Sequence, residues 1–174
     1  MALLPLSPSA KAARTARWAT TMTKWAIRFA TAGKRPGTHA VKKWQFVSFP
    51  GPQGSESRGI VDLLAIRRDH GSATGGFHLG DLFEMMLVQV KGGTAPWPTL
   101  EDMRRLKAVQ RRYHAKAVVL ACWRKGAEPK FHILKRVCSE RQRAWQEAPA
   151  VEVFGAARVR LLVKAVGAAV HLRG

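Results

Sequence analysis

The spacing of apolar residues predicts one long N-terminal helix, followed by short strands and a second helix. Apolar residues recur at intervals of four, three and four within residues 10–32, which is typical of one stripe along a helix. The stripe consists of Trp18, Met22, Trp25 and Phe29. Gly33 and Pro36 follow it and would end the helix. Trp97, Trp18 and Trp25 could stack on nucleic-acid bases, but we expect Trp18 and Trp25 to pack against the core.

Short apolar runs bounded by Gly and Pro predict the strands. Aromatic and polar residues alternate over 44–49, as in a half-buried strand. Continuous apolar runs are typical of fully buried strands. They cover residues 60–66, 82–90, 116–123 and 131–134. Because glycines and prolines separate the runs, each predicts a separate strand.

The clearest helix follows Thr99, which can form a capping box with Asp102. An inner apolar face is expected from Leu100, Met103, Leu106, Val109 and Tyr113. The outer face is basic, with Arg104, Arg105, Lys107, Arg111 and Arg112. Because this helix joins two apolar runs, residues 82–123 predict a parallel strand–helix–strand crossover.

The whole pattern predicts an α/β fold with a mixed central sheet of four to five strands, flanked by helices. Residues 141–147 have a helical pattern, whereas 151–172 are ambiguous and include two short strand-like runs, 151–154 and 159–163. The expected organisation is an unstructured segment 1–9, a basic helical region 10–43, a core 44–135 and an extension 136–174 packed on that core.

The charge balance predicts a polyanionic partner. The 174 residues include 30 Lys and Arg but only 11 Asp and Glu, a net charge of +19. Nucleic acid and an anionic membrane surface both fit such a charge, and solubility alone is a further alternative. No acidic residue precedes Glu56. The acid-free first 32 residues resemble a transit peptide, but a basic arm or first helix fits them as well, and we prefer the latter.

Other composition features narrow the class of protein. No unbroken apolar stretch of roughly 18 residues occurs, so a spanning helix is not expected. Cys122 and Cys138 lack the spacing of a metal finger and favour a reducing compartment, and we expect a cytoplasmic location. The six histidines have no metal-ligand spacing and are interpreted as surface or core residues.

Candidate chemistry lies in two apolar runs. Asp62 ends Gly-Ile-Val-Asp within the second predicted strand, and Gln89 and Lys91 end the third in Gln-Val-Lys-Gly-Gly. Burying an unpaired ion is expensive, so mutual contact or a metal ion is the expected compensation. Adjacent strands would bring the acid, the amide oxygen and the amine together at one edge of the sheet. Such a set can bind a divalent cation and hydrolyse a phosphodiester.

Each of the three residues also has a structural alternative. Asp62 could cap a loop or pair with Arg58, Gln89 could bond to backbone, and Lys91 could be a solvated strand end. Period-2 alternation places Gln89 and Lys91 on one face of their strand and Glu84 on the other. Glu84 is therefore expected to pair with an arginine and not to bind a metal.

The order of these elements, with Asp in the second strand and Gln-x-Lys ending the third, resembles the PD-(D/E)XK nuclease superfamily over residues 44–135. Gln in place of the usual Glu is similar to the Mrr-like branch. The small size and basic character resemble Holliday junction resolvases. The motif is short, and the order of strands and helices carries more of the resemblance. It implies a restriction-endonuclease-like αβββαβ core.

The resemblance also implies roles for these residues. Asp62 matches the metal-binding aspartate, and Gln89 matches the second acidic position, with its side-chain oxygen as the ligand. The Val90 backbone carbonyl would be a further ligand. Lys91 matches the lysine that positions water and stabilises charge. The implied cofactor is Mg²⁺ or Mn²⁺. Many members of the superfamily also have a glutamate on the first helix. Because no acid precedes Glu56 in this chain, Glu56 is the remaining candidate for that additional ligand.

The function implied is a metal-dependent DNA endonuclease that acts on branched or junction DNA as a homodimer, without a membrane partner. Residues expected at the DNA are Arg58, Gly92, Gly93, Arg104, Arg105, Lys107, Arg111 and Arg112. A solvated helix face and a flexible turn are the alternatives for this set. Two other functions stay open: a catalytically inactive nucleic-acid-binding protein of the same fold, and a basic protein of the ribosome or a membrane surface.

Overall fold

A mixed sheet between helices forms the centre of the computed structural model, which describes residues 7–32, 43–49, 60–69, 76–78, 81–124 and 126–155. Along the chain the elements are α1 (Pro8–Thr31), β1 (Gln45–Ser48), β2 (Leu63–Arg68), β3 (Phe83–Gly92), α2 (Leu100–Arg112), β4 (Ala117–Trp123), β5 (Lys130–Leu134), α3 (Arg141–Ala144), β6 (Trp145–Ala148) and α4 (Ala150–Phe154). Within these ranges no helix is long and apolar enough to cross a membrane.

The strands are ordered β1-β2-β3-β4-β5-β6 across the sheet. The β3–β4 pair is parallel, and every other pair is antiparallel. Helix α2 connects β3 to β4, so the predicted parallel crossover is confirmed. The sheet has six strands within the described residues, one or two more than the sequence predicts. The α/β class with a mixed sheet is confirmed.

The two faces of the sheet bury separate apolar clusters. Met86 and Val88 of β3 pack with Ile27 of α1 on one face. Leu87 packs with Leu106 of α2 on the other face. Because side chains alternate along a strand, Gln89 and Lys91 follow Leu87 onto the α2 face. This arrangement agrees with the alternation read from the sequence.

Helix α1 buries a different stripe from the one expected. Ser7 caps it, so the helix begins within the segment 1–9 that was expected to lack structure. The buried positions are Ala19, Thr23 and Ile27, whereas Trp25 is 48% and Phe29 is 73% exposed. Core packing of Trp25 is therefore a wrong prediction. Both stripes have helical spacing, and the helix turns its smaller side chains towards the sheet because these allow a closer approach.

Helix α2 begins as predicted. The Thr99 hydroxyl accepts from the Asp102 backbone N–H at 3.1 Å, and the Asp102 carboxylate accepts from the Thr99 N–H at 2.9 Å. Met103 and Leu106 are buried. Tyr113, expected on the inner face, is 61% exposed because it is the C-cap residue, where the chain leaves the helix.

The C-terminal elements correct two predictions. The expected helix over 141–147 is a single turn, α3, which runs directly into strand β6. Residues 151–154 belong to helix α4 and not to a strand. Strand β6 pairs with β5, so tertiary hydrogen bonding decides its conformation. The strand-like run 159–163 lies outside the described residues.

A buried ion cluster joins β2, β3 and α4. Arg67 and Glu84 form a 2.5 Å ion pair, and Lys116 also pairs with Glu84. Arg67 additionally donates to the Phe154 carbonyl at 2.8 Å and lies 4.3 Å from the Trp44 ring centre. The prediction that Glu84 pairs with an arginine is confirmed, and this acid has no part in the candidate site.

Candidate functional site

Asp62 lies where β2 begins and β3 ends. Its backbone N–H donates to the Val88 carbonyl at 3.0 Å, and its carboxylate accepts from the Val90 N–H at 2.6 Å. Leu63 pairs with Val88, so Asp62 and Gln89 come next on adjacent antiparallel strands. Such neighbours have Cβ atoms about 5 Å apart. The backbone of Asp62 therefore lies next to that of Gln89, and convergence of their side-chain oxygens stays a prediction.

The electrostatic surroundings of Asp62 favour a nearby positive charge. Burial raises the pKa of its carboxyl above the usual 3.8, while the Val90 N–H and the Lys91 charge act to lower it. Burial outweighs the other two effects. Because the ionised carboxylate has incomplete compensation, a further cation at this position would stabilise it.

Gln89 is the unusual member of the group. Its side chain is only 3% exposed, and its Oε1 atom has no hydrogen-bond partner. It is the single buried side-chain oxygen or nitrogen without one among the residues that the structure describes. Leaving such an atom unsatisfied costs about 1–3 kcal/mol. This amide oxygen is therefore available to accept a hydrogen bond or to ligate a cation.

Lys91 is half-buried at the end of β3. Burial disfavours the ionised form of Asp102, but hydrogen bonds from Thr99 and the Lys91 charge together lower its pKa. Lys91 also lowers the pKa of Asp62. Its ammonium therefore acts on acids at the start of α2 and the start of β2, and it forms no ion pair within 4.0 Å among the described side chains.

The oxygen donors fit a weakly held magnesium ion. Asp62 supplies one carboxylate and Gln89 one amide oxygen, and Mg²⁺ commonly binds one or two carboxylates while keeping several waters. Within the described ranges, no group of three or more His, Cys, Asp or Glu residues could hold a metal. The set does not suit a zinc site, which needs four nitrogen, sulfur or oxygen ligands. Glu56, the weaker expected ligand, lies outside the described residues.

The two glycines after Lys91 have structural reasons of their own. A Cβ atom on Gly92 would lie 3.2 Å from Thr15 Cγ2 and 3.3 Å from Ala19 Cβ, so helix α1 needs a glycine there. Gly93 has a φ of +63°, and its N–H donates to the Trp123 carbonyl at 2.8 Å. The backbone at Gly92 is closely approached, but by helix α1 and not by a ligand. Contact of either glycine with DNA stays a prediction.

The basic face of α2 is solvent-exposed at four of its five predicted positions, Arg104, Arg105, Arg111 and Arg112. Lys107 is half-buried and donates to the Gln110 side chain at 2.9 Å. Burial lowers the pKa of Lys107, and the charge of Lys135 lowers it further. Arg58 lies outside the described residues. Binding of DNA to this face stays a prediction.

A groove next to Lys91 was not predicted. This groove, here called the Trp97 groove, is a cavity of about 550 Å³. Its lining includes Lys91, Gly93, Trp97, Arg124, Glu128, Lys130, His132, Arg141 and Glu147. Burial raises the pKa of the Cys122 thiol in its wall, while the arginines and the lysine around it act in the opposite direction. Alternation along β5 could have placed Lys130 and His132 on one face of that strand. Only the pairing register of the strands shows that this face is also the face of Lys91.

Trp97 is held in this groove by aromatic contacts. Its ring centre lies 4.8 Å from that of His132 and 6.1 Å from that of Trp145, both edge-on. The Arg141 guanidinium lies 3.3 Å from the centre of the same ring. Burial lowers the pKa of His132, which favours the neutral form of its imidazole.

Comparison of the chain with protein-family models, curated proteins and solved structures finds no match. The resemblance to PD-(D/E)XK nucleases therefore stays a prediction based on three residues and on the order of the strands and helices.

Proposed function

We propose that the chain is a metal-dependent DNA endonuclease that hydrolyses phosphodiester bonds. The observation that carries this proposal is the buried Oε1 atom of Gln89, which accepts no hydrogen bond, one residue before Val90, whose N–H donates to the Asp62 carboxylate. Two oxygens at one strand end, with the ammonium of Lys91 nearby, make a site for a cation and an anionic substrate. Most buried side-chain oxygens in folded proteins have a hydrogen-bond partner, so one without a partner supports a binding role.

Each side chain has a distinct role in this proposal. Asp62 and Gln89 hold Mg²⁺, with the Val90 carbonyl as a further ligand. The ion, when bound, supplies charge neutralisation and lowers the pKa of coordinated water. Lys91 donates to a phosphate oxygen and stabilises the negative charge that develops there. The oxygen of water bonds to phosphorus and gives up one proton to the solvent, the bond from phosphorus to the leaving oxygen breaks, and the leaving oxygen takes up a proton.

The overall charge supports DNA as the substrate. A net charge of +19 attracts a polyanion, and each phosphate neutralised releases counterions. The arginines on α2 are exposed and available to a duplex backbone. A branched or junction substrate belongs to the same proposal, because such DNA can be recognised by its shape without contacts to the bases. A homodimer would suit this kind of substrate.

A second candidate is a basic nucleic-acid-binding protein without catalysis. The specific observation in its favour is that, among the described residues, Asp62 supplies the one carboxylate of the site and already accepts the Val90 N–H. With a neutral amide as the other ligand, the affinity for metal is lower than that of a site with two carboxylates.

A cleavage assay separates the two candidates. Linear, supercoiled and four-way-junction DNA are incubated with the protein and Mg²⁺, Mn²⁺ or EDTA. The test variants are Asp62→Asn and Lys91→Ala, and their matched controls are the exposed Asp81→Asn and Lys135→Ala. Metal-dependent cutting that both test variants lose and both controls keep supports the nuclease. Salt-sensitive binding without cutting supports the second candidate, and the absence of both refutes the two.

A further inference from the structure

We propose that the Trp97 groove binds an unpaired DNA strand next to the phosphate held at Lys91, with one base stacked on Arg141. This inference names the substrate class of the proposed nuclease site and so rests on that function. The preferred substrate would then be DNA with a single-stranded segment beside the cleaved bond, such as a flap or an opened junction.

The strand register joins the groove to the candidate site. Lys91 pairs with Cys122 across β3 and β4, and Cys122 pairs with Lys130 across β4 and β5. Paired residues point to the same face of a sheet, so the two lysines lie two strands apart, about 10 Å, on the α2 face. A phosphate chain that leaves Lys91 along this row reaches Lys130 directly.

The Arg141–Trp97 pair forms a stacking platform. The guanidinium lies 3.3 Å from the ring centre on one side, and the Arg141 side chain is exposed. Among the described ion pairs, Arg141 takes part in none. Arginine planes and aromatic rings are the surfaces on which unstacked bases lie. A base on the open face of Arg141 would extend the existing stack by one layer.

The size and charge of the groove fit a single strand. Its volume of about 550 Å³ falls within the roughly 300–1,000 Å³ of small-molecule sites. A nucleotide fits this space and a duplex does not. Four basic side chains line it, Lys91, Arg124, Lys130 and Arg141, against two acids, Glu128 and Glu147. Lys130 and Glu147 form an ion pair at 3.1 Å, and both side chains are exposed, so the pair is weak. A phosphate can therefore replace the Glu147 carboxylate at Lys130.

Binding measured in EDTA tests the inference without catalysis. Fluorescence anisotropy is followed with a labelled single strand, a blunt duplex and a duplex with a single-stranded flap. The variants are Arg141→Ala and Arg141→Lys, the second of which keeps the charge but loses the planar group. The matched control is Arg143→Ala, an exposed arginine of the same helix α3 that pairs with Glu140.

The expected result is selective loss of single-strand binding. Both Arg141 variants weaken binding of the single strand and the flap by about 5- to 150-fold, the range for one stacked base. Their affinity for the blunt duplex, and the affinity of Arg143→Ala for all three DNAs, change less than about threefold. Circular dichroism and melting temperature verify that the variants fold.

Several outcomes would overturn the inference: no binding of single strands by the wild type, equal losses for single strand and duplex, full affinity in Arg141→Lys, or the same loss in Arg143→Ala. The test is independent of the nuclease proposal. Selective binding through Arg141 without any cleavage leaves the groove intact and removes the nuclease. Cleavage of DNA without selective binding of single strands would support the nuclease and overturn the role of the groove.

Discussion

Replacing Gln89 tests whether its oxygen is kept for a cation. The methionine side chain in Gln89→Met has a length similar to that of glutamine but lacks the unpartnered Oε1 atom. Removing an unsatisfied buried atom relieves about 1–3 kcal/mol, and an imperfect fit of the new side chain costs less than about 1.5 kcal/mol. We therefore expect the variant to be more stable than the wild type without metal, by about 1 kcal/mol. For a chain of this length, that raises the melting temperature by about 2–4 °C.

Magnesium should reverse the difference. At an ion concentration ten times the dissociation constant, a bound cation stabilises the wild type by about 1.4 kcal/mol. Gln89→Met lacks the ligand and gains little. Gln89→Glu adds a second buried carboxylate next to Asp62, so it should be less stable than the wild type in EDTA. In Mg²⁺ it should gain more stability than the wild type does.

Calorimetry or thermal denaturation in EDTA and in a Mg²⁺ series measures these shifts. Gln146→Met, an exposed change on strand β6, is the matched control and should stay within about 0.5 kcal/mol of the wild type. The reasoning fails if Gln89→Met is destabilised in EDTA and Mg²⁺ raises both melting temperatures alike. That result would mean that the Gln89 oxygen has an ordinary partner and no cation.

Three further predictions concern the surroundings of the site. Because burial raises the pKa of Asp62, its protonated form stabilises the fold below about pH 3.8, and this contribution is lost as the pH rises through the folded pKa. At pH 7, Asp62→Asn should accordingly unfold at a higher urea concentration than the wild type, and this difference should shrink towards pH 4. A difference that is the same at both pH values would contradict a raised pKa of Asp62 as its cause. Gly92→Ala should lose about 1–3 kcal/mol through crowding against α1, and an unchanged melting temperature would show that the helix yields. Glu84→Gln leaves Arg67 buried without its anion and should lose about 3–5 kcal/mol in guanidinium unfolding, whereas the exposed Glu101→Gln should lose under 1 kcal/mol; equal losses would argue against a buried ion cluster.

Local patterns predicted the elements whose stability comes from neighbours in the chain. The capping box at Thr99 needs only residues three positions apart, and the alternation along β3 follows from backbone geometry. Both were correct. The same alternation separates Glu84 from Gln89 and Lys91. Period-2 alternation holds whichever strands are neighbours, so it can be read directly from the sequence.

Packing choices between equivalent patterns could not be read in this way. Helix α1 carries two stripes with helical spacing, and the strip with Ala19 and Thr23 is buried because it approaches Gly92 closely. Residues 145–148 form strand β6 only because β5 offers an edge with which to pair. In both places the deciding partner is distant in sequence, so local propensity has no information about it.

The candidate site divides along the same line. Alternation alone places the amide of Gln89 and the amine of Lys91 on one face, and residue types add the acid of Asp62 in the preceding apolar run. Folding adds two features that no local pattern contains: the Gln89 oxygen without a partner and the groove built from Trp97, Lys130 and Arg141. Hydrogen-bond satisfaction and concave surfaces depend on which distant segments meet, whereas strand alternation and helix caps depend on residues only a few positions apart.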